Sequence, residues 1–98
     1  MTVIMIGAED TAIAFNLLGI ESHFPENFDQ FKSLLQESIK NPRVDLIIIT
    51  EKIYFEYQDY ILKIKQVTNH PTIVEIEDIL GRTKQDPIEE ILRKYVGF

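Results

Sequence analysis

The pattern of apolar and polar residues along the chain predicts four β-strands. Apolar runs within residues 2–6 and 44–50 are typical of strands that are buried on both faces in a parallel sheet. Residues 20–24 put Ile20 and Phe24 on one side of an extended chain and Glu21 and His23 on the other, which predicts a short edge strand with one face in water. A fourth strand, over residues 72–76, follows Pro71, whose missing N–H is tolerated at a sheet edge. The first and third strands are therefore expected at the centre of the sheet.

Between these strands, apolar residues recur every three or four positions, which predicts helices. A short helix over residues 11–18 follows Asp10, whose carboxylate is placed to accept hydrogen bonds from the free N–H groups of the first turn. A longer helix over residues 28–40 begins after Asn27, with Gln30 three residues later in the manner of a capping box. Both helices thus have a candidate side-chain cap.

A third helix is predicted as one continuous element over residues 51–67. Its inward stripe consists of residues at helical spacing: Ile53, Tyr57, Tyr60, Ile61, Ile64 and Val67. Three more apolar residues lie off this stripe and widen the apolar surface: Tyr54, Phe55 and Leu62. We therefore expect part of this helix to contact something besides the core of its own domain.

The last part of the chain predicts an amphipathic helix over residues 86–98. It starts with a proline at its first position inside a D-x-x-E capping box, formed by Asp86, Pro87 and Glu89. Its apolar face consists of Ile88, Ile91, Leu92, Tyr95 and Val96. Residues 77–85 have no clear period and contain a glycine. We therefore divide the chain into an α/β body over residues 1–76, a linker over residues 77–85 and a C-terminal helix.

Two interpretations of this C-terminal helix are open. Most amphipathic helices cover a sheet face or edge of their own domain, whereas residues spaced i, i+3, i+4 and i+7 also serve as anchors on a partner. The charge distribution favours the second interpretation, in which the helix binds a partner. Residues 82–98 carry four basic and three acidic side chains, whereas residues 1–81 carry six basic and thirteen acidic ones. The helix is thus predicted to bind a partner.

Strands that alternate with helices through short connections predict an α/β fold with a four-stranded parallel sheet. We expect the strand order 2-1-3-4, with helices on both faces, as in receiver-like or flavodoxin-like domains. In such sheets a ligand site lies at the carboxyl ends of the central strands. The residues at that edge are Glu9 and Asp10 after the first strand, and Thr50 and Glu51 after the third.

These edge residues match no catalytic pattern. A receiver domain needs a phosphoaccepting aspartate after the third strand and a lysine after a later one, because magnesium and lysine together offset the phosphoryl charge. Here Thr50 and Glu51 stand in place of the aspartate, and no fifth strand is predicted. The glycine patterns of dinucleotide and P-loop sites are also absent. His23 and His70 have no evident partner, so we expect no catalytic, cofactor-binding or metal-binding residues.

Composition narrows the possible partners and location. The 98 residues suffice for one domain, and sixteen acidic against ten basic side chains give a net charge of −6, which opposes binding to nucleic acid or to an anionic membrane. The chain has no cysteine and no signal-peptide pattern, which fits a cytoplasmic location. No uninterrupted apolar run is longer than that of residues 46–49, which falls far below the roughly 20 residues of a membrane span. Direct membrane insertion is therefore not expected.

Four segments carry a resemblance to a known family. Residues 6–12 and 15–20 read IGAEDTA and FNLLGI, residues 71–76 read PTIVEI, and residues 91–97 end in valine and glycine. In this order they resemble the I-G-x-x-D-T and F-x-L-x-G-I opening, the last strand and the terminal helix of the F subunit of the archaeal and bacterial A/V-type rotary ATPases. The chain departs from the family pattern at Asn16, where many members have arginine. It also differs at Glu77 and Asp78, where others have proline and serine.

The resemblance implies a non-catalytic subunit of the central stalk whose C-terminal helix packs along the coiled coil of the D subunit of the rotor. Such a protein would couple ATP turnover to ion translocation and regulate hydrolysis, peripheral to the membrane through the complex. The membrane-ring adaptor and the catalytic head would be further partners. Carried over by position, the contact residues are Ile88, Ile91, Leu92, Tyr95 and Val96. The alternative is a degenerate receiver-like signalling module that engages a partner through Tyr54, Phe55 and Tyr57.

Overall fold

The computed structural model describes residues 2–78. Strands and helices alternate in this range: β1 (Thr2–Ile6), α1 (Glu9–Leu17), β2 (Glu21–His23), α2 (Phe28–Lys40), β3 (Val44–Thr50), α3 (Glu51–Glu56), α4 (Gln58–Val67) and β4 (Thr72–Ile76). The His70–Pro71 bond before β4 is cis. Most of the predicted linker, and the whole of the predicted helix over residues 86–98, lie outside the described residues.

The four strands form one parallel sheet in the order β2-β1-β3-β4, which confirms the predicted fold. Ile4 lies opposite Ile47 on one side and Glu21 on the other. Met5, Ile6 and Ile48 are fully buried, as the apolar runs in β1 and β3 predict. The two central strands thus supply side chains to both faces of the sheet.

Helices cover the two faces unequally. On one face, α2, α3 and α4 pack against Ile4, Ile6, Ile47 and Ile49 through four buried residues, Phe31, Leu35, Ile53 and Ile61. On the other face, Ala12 and Phe15 of α1 pack against residues that include Met5, Leu46, Ile48 and Ile76. Among the described helices, only α1 contributes to this second cluster.

The N-terminus of α1 differs from the prediction. The helix begins at Glu9, and the residue before it, Ala8, offers no side-chain cap. The Asp10 carboxylate accepts a hydrogen bond from the Thr11 N–H at 3.0 Å from within the first turn, so its predicted position ahead of the helix was wrong. By contrast, the start of α2 is confirmed, because Asn27 Oδ1 accepts from the Gln30 N–H at 2.9 Å.

The predicted continuous helix over residues 51–67 was also wrong. It breaks at Tyr57, whose φ of −116° and ψ of 28° lie outside helical geometry. The Tyr57 ring stacks on the buried Phe31 ring at a centroid distance of 4.8 Å, and we attribute the break to this packing, which overrides local helix propensity. Val67, which was predicted to face inward, is 79% exposed.

Asn16 closes the open edge of the sheet at β2. Its side-chain amide donates to the Ser22 carbonyl at 3.1 Å, and its Oδ1 accepts from the Ser22 N–H at 3.0 Å. The neighbouring residue His23 directs its carbonyl the other way, toward the Gly7 N–H. The Asn16 side chain therefore occupies the two backbone groups that another strand would use at this position.

The substitution Asn16→Asp tests this contact. The carboxylate keeps the acceptor for the Ser22 N–H but places a negative charge against the Ser22 carbonyl, and helix propensity hardly changes. We expect the free energy of unfolding in urea to fall by about 1 to 2 kcal/mol. The control is Asn69→Asp, which makes the same change at an exposed residue. Equal urea midpoints for the two variants would contradict the role assigned to Asn16.

Candidate functional site

The carboxyl edge of the sheet, where a ligand site was expected, is occupied by a contact between Gly7 and Thr50. A Cβ atom on Gly7 would lie 2.6 Å from Thr50 Cγ2 and 2.7 Å from its Oγ1. Thr50 is fully buried, and its Oγ1 accepts a hydrogen bond from the Ala8 N–H at 3.3 Å. The glycine is thus required by close packing, and the hydroxyl is already engaged.

Acidic side chains surround this contact. A groove beside it is lined by Glu9, Asp10, Glu26 and Glu56, with Lys52 as its basic residue. The positive end of the helix dipole stabilises the carboxylates in the first turn of α1. The four acidic side chains of this groove together repel a phosphate ligand. No group of three metal-ligating side chains occurs among residues 2–78. The geometry of this edge is that of a closely packed structural turn.

The Gly7–Thr50 contact is testable by a double-mutant cycle. We expect Gly7→Ala to lower the free energy of unfolding by about 1 to 3 kcal/mol, because the new methyl group overlaps the Thr50 side chain. Thr50→Ala removes the two crowding atoms of Thr50 and leaves Met5 Sδ, at 2.9 Å on a flexible side chain, so Gly7→Ala should cost at least about 1 kcal/mol less in that background. Urea denaturation of the four proteins measures the coupling, and strictly additive losses would contradict a direct contact.

Each histidine side chain forms an exposed pair with a carboxylate, and the His23 pair lies near this edge, because the His23 carbonyl accepts from the Gly7 N–H at 3.0 Å. His23 Nε2 is 2.8 Å from Glu21 Oε2, and His70 Nε2 is 3.7 Å from Asp45 Oδ1. Such exposed pairs contribute at most about 1 kcal/mol to stability. Neither arrangement brings a histidine next to a nucleophile.

Asp78, at the start of the predicted linker, makes a contact that sequence reasoning missed. Its Oδ2 accepts a hydrogen bond from the Lys52 N–H at 2.8 Å, in the first turn of α3. Thr50, the residue in the N-cap position of α3, makes no side-chain cap, because its hydroxyl bonds to Ala8. Asp78 therefore supplies from a distant position the acceptor that the helix start lacks locally. The only hint in the sequence is an acid soon after β4.

Replacing Asp78 tests whether it joins this part of the chain to the body. Asp78→Ala should lower the free energy of unfolding by about 1 kcal/mol, because the Lys52 N–H loses its acceptor. Asp78→Asn keeps an oxygen at that position, so we expect it to lose less than half as much. The stabilities of the two variants are compared by chemical denaturation of the full chain. An alanine variant as stable as the original would contradict the capping role of Asp78.

A second groove, which we call the aromatic groove, lies where α3 meets α4. Four rings line it: Phe28, Phe55, Tyr57 and Tyr60. The Phe28 ring lies 5.4 Å from the Tyr57 ring and 5.3 Å from the Tyr60 ring, and Gln36 donates to the Tyr60 hydroxyl at 3.1 Å. Burial, and secondarily the Glu56 carboxylate, raise the pKa of Tyr57. Three of the rings are thus fixed by contacts within the domain.

Phe55 differs from the other rings of the aromatic groove because it is 78% exposed. Of the three residues that the alternative hypothesis assigned to a partner, Tyr54 packs against the core cluster and Tyr57 stacks on Phe31. Of these three residues, only Phe55 is largely exposed, and the two tyrosines are half-buried. The five predicted partner-binding residues of the C-terminal helix lie outside the described residues: Ile88, Ile91, Leu92, Tyr95 and Val96.

Comparison with known proteins gives a consistent result across the chain. Residues 3–96 match the family described as ATP synthase (F/14-kDa) subunit. The chain is 33% identical over 99 residues to the F subunit of the A-type ATP synthase of Methanocaldococcus jannaschii, covering 99% of this chain and 96% of that protein. It is 34% identical over 91 residues to the corresponding protein of Methanosphaera stadtmanae, covering 90% of this chain and 85% of that protein. In the described part of the chain, no helix has the length and apolar character to cross a membrane.

Proposed function

This chain belongs to the family of F subunits of A-type ATP synthases, which are non-catalytic subunits of that complex, and we propose that it works in the central stalk. In this proposal the C-terminal helix binds the coiled coil of the D subunit of the rotor. The body strengthens the rotor and helps to couple ATP turnover to ion translocation. The position of the last helix regulates ATP hydrolysis.

The observation that carries the proposal is the extent of the family match. It runs from residue 3 to residue 96 and so includes both the α/β body and the apolar face of the predicted C-terminal helix. The body alone gives little reason for a catalytic role, because the carboxyl edge of its sheet is filled by the Gly7–Thr50 contact. A structural body joined to an amphipathic helix suits a protein that acts by binding.

The sequence of the last segment supports docking on a coiled coil. Ile88, Ile91, Leu92 and Tyr95 follow the i, i+3, i+4, i+7 spacing of a helix that lays one face into an apolar groove. Its capping box and N-terminal proline supply start signals that need no contact with the body. Asp78 joins the beginning of the linker to α3, so the linker toward this segment leaves the body from a fixed point.

A position in the central stalk would bring this chain into contact with further subunits. The membrane-ring adaptor and the catalytic head would lie at the two ends of the rotor, and either would contact a protein bound to the rotor's coiled coil. The chain would then be peripheral to the membrane through the complex, on its cytoplasmic side. The receiver-like alternative has less support, because Thr50 stands in place of the phosphoacceptor and is fully buried.

The test is the affinity of the full chain for the D subunit from the same organism, measured by isothermal titration calorimetry. Ile91→Asp places a charge in the centre of the proposed apolar contact and should weaken binding at least about thirtyfold. The matched control is Leu17→Asp, the same kind of change at a residue of α1 that is 83% exposed. The control should bind within about twofold of the original protein.

Two outcomes would contradict the proposal. Unchanged affinity of Ile91→Asp would show that the C-terminal helix does not dock on the rotor's coiled coil. An equal loss of affinity in Leu17→Asp would indicate that the D subunit binds to the body instead.

A further inference from the structure

We infer that the aromatic groove is a second docking surface, which binds a basic segment of another subunit of the synthase with an apolar residue at its centre. This inference rests on membership of the synthase complex and does not depend on the proposed docking of the C-terminal helix on the rotor's coiled coil. It concerns a different part of the chain, because the aromatic groove is built from α2, α3 and α4.

The first observation is the position of Phe55. A single exposed apolar side chain is ordinary on a protein surface, but this one lines a groove together with three other aromatic rings. Phe28, which also lines the groove, is 39% exposed. Aromatic and polar side chains therefore share one concave surface, which is typical of binding sites.

The second observation is that three of the four rings of the aromatic groove, all except Phe55, are already held in place. Phe31, fully buried, stacks on Tyr57 and meets the Tyr60 ring edge-on at a centroid distance of 6.4 Å. The Tyr60 hydroxyl is held by Gln36. A partner would lose little free energy in ordering these rings, since the domain has ordered them before binding.

The third observation concerns charge. The rim of the aromatic groove carries Glu56 and Asp59 against Lys63. Glu56 also lines the neighbouring acidic groove, which adds Glu9, Asp10 and Glu26 against Lys52. Complementarity therefore selects a positively charged partner. Aromatic faces reinforce this choice, because they attract lysine and arginine side chains.

Together, these observations indicate which kind of segment would bind in the aromatic groove. An apolar side chain would fill the space between Phe28 and Phe55, and flanking lysine or arginine residues would meet Glu56 and Asp59. The acidic rim disfavours nucleic acid and anionic lipid as ligands. Because the chain belongs to a multisubunit complex, a neighbouring subunit is the partner to which this proposal commits.

The experiment is photo-crosslinking in the assembled synthase. Phe55 is replaced by p-benzoylphenylalanine, the complex is purified through a tag on another subunit, and crosslinked peptides are identified by mass spectrometry. We expect a peptide of another subunit in which at least two lysine or arginine residues flank an apolar one. The same photoreactive residue at position 17, on the exposed side of α1, serves as the spatial control and should not give that peptide.

A charge-reversal pair tests the electrostatic part. Glu56→Lys should lower the crosslinking yield about tenfold, since it sets like charges against each other at the rim. Glu37→Lys makes the same change at an exposed residue of α2 outside the aromatic groove and should leave the yield within about twofold. Both substitutions place lysine in the last turn of a helix, where it suits the dipole, so neither should unfold the chain.

Several results would overturn the inference. They are a crosslink from position 55 to residues 79–98 of the same chain, a crosslinked peptide without basic residues, the same peptide from position 17, no crosslink in the assembled complex, or equal losses in the two charge variants. A chain that fails to purify with the complex would instead contradict the proposed function. The experiment therefore distinguishes an error in the inferred docking surface from an error in the proposed function.

Discussion

The close contact between Thr50 and Gly7 determines how the carboxyl edge of the sheet is built. It joins the ends of the two central strands, allows only a glycine at the end of β1, and engages the Thr50 hydroxyl with the Ala8 N–H. That hydroxyl is therefore not available to cap α3. Asp78 takes over the cap, so a contact between β1 and β3 also fixes the chain just after β4.

This arrangement explains why the usual ligand position of a parallel α/β fold contains no evident chemistry here. The space above β1 and β3 is occupied by packed side chains, and the surrounding carboxylates oppose phosphate. Function is then expected on surfaces that the fold leaves open. Two such regions follow from the structure and the sequence: the aromatic groove, and the apolar face of the predicted C-terminal helix.

Features that depend on neighbouring residues could be predicted from the sequence. The apolar runs indicated the central strands, and Asn27 with Gln30 indicated the start of α2. Features that depend on distant residues could not be predicted. Tyr57 leaves helical geometry where it stacks on Phe31, and Asp78 caps a helix that begins 27 residues earlier in the chain.

The same distinction between neighbouring and distant residues applies to the candidate binding surfaces. Phe55 was recognised because it lies off the helical stripe, and it is indeed exposed. Tyr54 and Tyr57 lie close to it in sequence but pack inward, which helical spacing alone does not reveal. The aromatic groove needs Phe28 from α2 to complete its wall. The partner-binding residues assigned to the C-terminal helix remain a prediction from spacing and family resemblance.

We propose that this chain acts in the stalk by binding, and purification from its own cell is the decisive test of this claim. A tagged chain is isolated without denaturant, and the proteins that elute with it are quantified by mass spectrometry. We expect the D subunit of the rotor to elute in equal molar amount, together with subunits of the catalytic head. Elution of the chain alone, or with proteins unrelated to the synthase, would contradict this claim.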